Sequence, residues 1–82
     1  MNYGEIETIV KEVLAKQLSM DVSRVQLDSR LVEDLGVDSF GSVEISFELE
    51  ERFGIKIPDA ALYEAKLVKH IVDYIASQKG SK

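Results

Sequence analysis

The chain has 82 residues, 45% of them hydrophobic, with 15 acidic against 10 basic side chains, a formal net charge of -5 and no cysteine. That length holds one small domain and is too short for a deep enzyme active site beside a separate core. The acidity argues against nucleic acid and anionic membranes as partners, and the lack of cysteine against a disulfide framework or a Cys-based metal site. Partners with basic patches are expected instead. Met1-Asn2-Tyr3-Gly4-Glu5 has no basic leader followed by an apolar run, and no stretch is long enough to span a bilayer. The expectation is a cytoplasmic monomer without stable membrane insertion.

Ile6, Ile9, Val10, Val13, Leu14 and Leu18 recur at helical spacing and predict a first helix from about Tyr3 to Ser19. Asn2 caps it, with Glu5 three residues on, and Glu7–Lys11 and Glu12–Lys16 form i, i+4 pairs on its wet side. From Met20 to Asp38 the period disappears, yet Val22, Val25, Leu27, Leu31, Leu35 and Val37 are too apolar for a linker. A long loop pinned across a helical bundle follows.

The second helix runs from about Ser39 to Phe53, with Gly54 at the left-handed C′ position and Pro58 barring continuation. Ile45, Leu49 and Phe53 face the core; Phe40, Val43 and Phe47 form an adjacent stripe; Glu44, Glu48 and Glu51 form a wet one. A short helix from Asp59 to about Glu64 comes next. Val68, Ile71, Val72 and Ile75 then mark a last helix ending near Ser77, with residues from about 78 to 82 as a loose tail. Leu67 is a poor cap, and Lys66, Lys69 and His70 place basic groups at a positive dipole end, so that helix is expected to fray at its start. The fold class is all-α: one domain over 1–82, a four-helix bundle of three main helices and one short one, with a long first loop.

Charge is unevenly spread. Nine acidic residues and three arginines lie between Asp21 and Phe53, against three acidic residues and five lysines beyond Phe53. Partners should approach the acidic half.

The stretch Leu31-Val32-Glu33-Asp34-Leu35-Gly36-Val37-Asp38-Ser39-Phe40, followed by Gly41-Ser42-Val43-Glu44-Ile45, resembles the acyl carrier protein family around its Asp-Ser-Leu attachment motif. The resemblance spans nearly the whole chain in order and spacing. It implies a non-catalytic carrier in which Ser39 holds a 4′-phosphopantetheine arm, derived from coenzyme A, whose thiol carries acyl groups as thioesters. It implies that Asp38 takes part in the encounter with a Mg²⁺-dependent phosphopantetheinyl transferase. The second helix becomes the docking surface for that transferase and for acyl-transfer or synthase enzymes, through Phe40, Val43, Glu44, Phe47 and Glu48. An acyl chain would shelter between the second and third helices against Phe47, Leu49, Ile57, Ala61 and Leu62.

The resemblance implies a cargo of fatty-acid, polyketide or specialised lipid metabolism. Phenylalanine after the serine and glycine next depart from the commonest fatty-acid pattern, so an aminoacyl carrier of the D-alanyl type is one alternative; an unmodified acidic interaction module is another. A serine hydrolase fits poorly, because Gly36-Val37-Asp38-Ser39-Phe40-Gly41 lacks the G-x-S-x-G spacing and His70 is the sole histidine. A calcium loop starting at Glu33 or Asp34 lacks glycine at its sixth position, so no metal site is expected.

Overall fold

The computed structural model describes residues 2–79, with the backbone alone at Asp59 and Tyr63; of the tail expected at about 78–82, Gln78 instead closes the last helix and Lys79 is its C-cap, tied by its side chain to Phe53, while 80–82 lie outside the described residues. Four helices follow one another: α1 (Tyr3–Leu18), α2 (Ser39–Phe53), α3 (Asp59–Glu64) and α4 (Val68–Gln78). α1 packs against α2 and α4, and α3 bridges α2 and α4. Among the described residues there is no strand, only an isolated antiparallel bridge between Arg30 and Leu67.

α1 starts where the sequence places its capping box. The Asn2 side chain accepts the Glu5 N–H at 2.8 Å, and the Glu5 carboxylate accepts the Asn2 N–H at 3.0 Å. Glu7 pairs with Lys11 at 2.6 Å. The expected Glu12–Lys16 pair is not closed among the described ion pairs: both side chains are exposed, where water competes on nearly equal terms.

The first loop contains a 3-10 turn at Val22–Arg24 that apolar periodicity could not reveal; Asp21 caps it by accepting the Ser23 N–H at 2.9 Å. Beyond it, Val25, Leu31, Leu35 and Val37 are buried and join Ile6, Val10, Val13 and Leu14 of α1 in one core. Four apolar anchors in a loop leave it no freedom to act as a linker. Gly36 takes φ +72, a left-handed conformation that would strain a side chain, so the loop can double back before Val37.

α2 buries the predicted stripe: Ile45, Leu49 and Phe53 are 1%, 0% and 3% exposed. It ends at Gly54, again left-handed at φ +65, and the Lys79 ammonium donates to the Phe53 carbonyl at 3.0 Å. The Glu50 carboxylate accepts the Ile57 N–H at 2.7 Å, drawing the chain back so that Ile57 is buried. α4 buries Val68, Ile71, Val72 and Ile75.

The expected fraying at the start of α4 is overturned. The N–H of Val68 donates to the Ser29 carbonyl at 3.1 Å and that of Lys69 to the Leu27 carbonyl at 2.8 Å, while His70 Nδ1 accepts the N–H groups of Lys66 and Leu67 at 3.0 and 3.2 Å. A loop and an imidazole thus satisfy donors that Leu67, lacking a polar side chain, cannot.

Candidate functional site

Ser39 is the first residue of α2, and Asp38 is its N-cap in an extended conformation. Leu35 and Val37 are buried on one side and Ile45 on the other, so the core fixes both flanks of this turn and leaves Asp38, Ser39 and Phe40 exposed. Asp38 Oδ1 accepts the Gly41 N–H at 2.6 Å, and the Asp38 carbonyl accepts the Ser42 N–H at 2.8 Å. The N–H groups of Ser39 and Phe40 have no acceptor among the described residues. They add open donors and the positive end of the α2 dipole beside an exposed hydroxyl.

A cavity of about 500 Å³ opens beside this turn. Leu14, Leu31, Val37, Ile45, Leu62 and Ile71 supply its apolar walls, and Glu33, Asp38, Ser39, Ser42 and Lys66 its polar lining, with Val32 and Ala65 between. The volume lies in the range of small-molecule sites. Ser42 Oγ donates to the Ser39 carbonyl at 2.9 Å, so its hydroxyl already has a partner in the helix.

The expected shelter between α2 and α3 differs from this cavity. Of Phe47, Leu49, Ile57, Ala61 and Leu62, the structure brings Leu62 to it. Leu49 and Ile57 belong to the core at 0% and 4% exposure, Ala61 packs half-buried against it, and Phe47 stands in solvent at 62%. The reason is rotational: Phe47 lies two residues from both Ile45 and Leu49, and at 3.6 residues per turn that is the opposite side of the helix. The cavity forms where the first loop crosses the start of α2, a turn before Leu49. Its lining by Leu31, Val32 and Glu33 of the first loop and by Lys66 between α3 and α4 follows from the paths of these connections, for which helical periodicity carries no signal.

The other α2 residues form one outward surface. Phe40 and Val43 are 72% and 56% exposed, and with Phe47 they make an open apolar ridge, joined by Val32 of the loop among the exposed large hydrophobics. Glu44 is exposed and has no ion-pair partner among the described residues, whereas half-buried Glu48 contacts Arg52 at 3.4 Å. On the loop, the Arg30 N–H and guanidinium both donate to Asp34, and these bonds hold the Asp34 carboxyl below the usual range. No group of three or more metal-ligating side chains occurs among the described residues.

Residues 8–75 match the family model described as the phosphopantetheine attachment site. The chain is similar to an acyl carrier protein of Helicobacter hepaticus, 46% identical over 70 residues, covering 85% of this chain and 92% of the relative. It is likewise similar to acyl carrier proteins of Campylobacter hominis, 40% identical with 95% and 99% covered, and of Thermosynechococcus vestitus, 43% identical with 92% and 93% covered.

Proposed function

This chain belongs to the acyl carrier protein family, whose members hold a covalent 4′-phosphopantetheine, and from that premise we propose that Ser39 is the attachment residue and that the cargo is an acyl intermediate of lipid metabolism. The observation that carries the reading is the placement of an exposed serine at the first position of α2, among the residues lining a cavity with apolar walls. The bound group supplies a thiol that holds acyl chains as thioesters. The chain's own residues do the rest. Ser39 offers its oxygen to the transferase, and the Ser39 and Phe40 N–H groups favour an anion placed there. Asp38 fixes the entrance of α2 and, on the proposed encounter, stands near the transferase's metal. The apolar cavity walls exclude water from part of a chain laid against them, at about 0.8 kcal/mol for each methylene covered.

Phosphopantetheinyl transferase and the acyl-transfer or synthase enzymes of fatty-acid, polyketide or specialised lipid synthesis are the proposed partners. They would approach Phe40, Val43, Glu44, Phe47 and Glu48, a surface with an apolar ridge and an acidic flank. The family match removes the ground for an unmodified interaction module, and the acyl carrier names of the relatives favour an acyl over an aminoacyl cargo. Helices long and apolar enough to cross a membrane are absent from the described residues.

The test is incubation of wild type and Ser39→Ala with coenzyme A and a transferase, followed by intact-mass measurement. Wild type should gain one phosphopantetheinyl group and the variant none. A gain persisting in folded Ser39→Ala would move the site elsewhere.

A further inference from the structure

α4 begins at Leu67, a residue with no acceptor, and its entrance is closed from inside the helix. His70, the third helical residue, reaches back so that Nδ1 accepts the Leu67 N–H at 3.2 Å and the Lys66 N–H at 3.0 Å. This is the half of a capping box in which glutamate or glutamine ordinarily serves. A ring nitrogen that accepts carries no proton, so these two bonds belong to the neutral ring with its hydrogen on Nε2.

The segment held this way is a wall of the cavity beside Ser39. Leu62, Ala65 and Lys66 line that cavity, and the Leu31 N–H donates to the Lys66 carbonyl at 3.0 Å. Val68 and Lys69 tie the next two N–H groups to the Ser29 and Leu27 carbonyls. Between these ties, the N–H groups of Lys66 and Leu67 are held by the His70 ring.

We propose that His70 is a positioning residue whose neutral ring latches the α3–α4 junction against the cavity beside Ser39, and that protonating the ring loosens this wall. A protonated imidazole accepts nothing, and its charge would sit at the positive end of the α4 dipole. Of the charges around it, the Asp73 carboxylate attracts a protonated ring, and that attraction is shared with Lys69. Lys66 and Lys69 are cations four residues and one residue before it in sequence, and Arg30, bridged to Leu67 from the first loop, is engaged with Asp34. Asp73, whose carboxyl the His70 ring influences, already accepts Lys69 at 2.6 Å and the Tyr3 hydroxyl of α1 at 2.7 Å, and Glu64 at the end of α3 is exposed.

The purpose of the latch, sheltering a cargo, rests on attachment at Ser39; its geometry does not. The first measurement therefore uses the unloaded protein: NMR protection factors of the Lys66 and Leu67 amides in wild type, His70→Gln and His70→Ala. Glutamine can accept without titrating, so it should keep both amides protected at all pH values, while alanine lowers protection on the order of fivefold at pH about 8. Wild type should behave as glutamine at that pH and approach alanine under acid conditions in which the ring is protonated. Equal protection in alanine and wild type, the same acid response in wild type and glutamine, or an Nδ1–H ring at high pH would overturn the latch. The second measurement is thioester hydrolysis on chain loaded with a medium acyl group, expected to run faster in His70→Ala than in His70→Gln. Unchanged hydrolysis alongside lost amide protection would overturn the sheltering role and leave the latch standing; failure to load at all would instead strike the Ser39 assignment.

Discussion

Asp38 Oδ1 lies 2.6 Å from the Gly41 nitrogen whose hydrogen it accepts, and the same oxygen stands 3.1 Å from where a Cβ on residue 41 would be. A carboxylate cap and a glycine three residues later therefore form one unit, with the missing side chain leaving room for the short bond. Gly41→Ala should gain helix propensity of about 0.8–1 kcal/mol and lose most of it by pushing the cap outward, ending within about 0.5 kcal/mol of wild type. Asp38→Ala should cost about 1 kcal/mol, and in that background Gly41→Ala should recover its full gain. Urea unfolding of the four proteins closes the cycle. A full propensity gain in wild type would show that the two residues act independently.

Asp38→Asn separates capping from encounter with the transferase. An amide oxygen still accepts the Gly41 N–H, so stability should stay within about 0.5 kcal/mol of wild type. Loading by the transferase should nevertheless fall about tenfold or more, a loss of about 1.4 kcal/mol in the transition state. Unchanged loading would reduce Asp38 to a helix cap.

The pairing of Tyr3 with Asp73 joins the first turn of α1 to α4 and gives stability a pH signature. Partial desolvation, and then the hydrogen bond to Asp73, push the Tyr3 hydroxyl up to about 12. The Asp73 carboxyl is held below its ordinary value, first by Lys69 and then by Tyr3. A raised tyrosine contributes below its unfolded value of 10.0 and loses that contribution as pH rises toward about 12. The lowered aspartate contributes above its unfolded value of 3.8 and loses it as pH falls through the folded one. Tyr3→Phe should therefore cost about 0.5–1 kcal/mol at pH 7, the pair being exposed, and should flatten the alkaline decline between pH 10 and 12. An identical alkaline limb in the variant would assign the decline to other groups.

What could be read from the sequence divides along a physical line. Ile45, Leu49 and Phe53 on α2, and Val68, Ile71, Val72 and Ile75 on α4, are set by spacing within one helix, and spacing is printed in the chain. The Asn2 cap and the Gly54 stop are local chemistry and were legible for the same reason. The cavity was not, because Leu31, Val32 and Lys66 come together through the Leu31–Lys66 backbone bond across 35 positions of separation, a pairing that no local pattern encodes. The closed start of α4 was misread for a related reason. Propensity weighed Leu67 and the basic residues by their charge, whereas the ring of His70 acts there as an acceptor and the loop carbonyls of Leu27 and Ser29 take the next donors.

The outward surface of α2 offers the last prediction, since its residues differ in how far folding already uses them. Phe40 and Phe47, at 72% and 62% exposure, bury little in the free chain, so truncating either to alanine should leave stability within about 0.5 kcal/mol of wild type. Leu49→Ala, from 0% exposure, should cost about 2–5 kcal/mol. The acids divide similarly: Glu48 is paired with Arg52, so Glu48→Lys should cost a few tenths of a kcal/mol, while Glu44→Lys breaks no pair. At low salt the double lysine variant should associate with the transferase roughly threefold to tenfold more slowly, with the gap narrowing as salt screens both proteins. Phe40→Ala should leave association nearly unchanged and speed dissociation, because a desolvated aromatic holds a complex and does not steer it. Surface plasmon resonance across a salt series reads both rates on the same protein. Equal association rates for wild type and the folded double lysine variant at low salt would make the acidic flank a solvated helix face, and the apolar ridge would then have to account for partner choice alone.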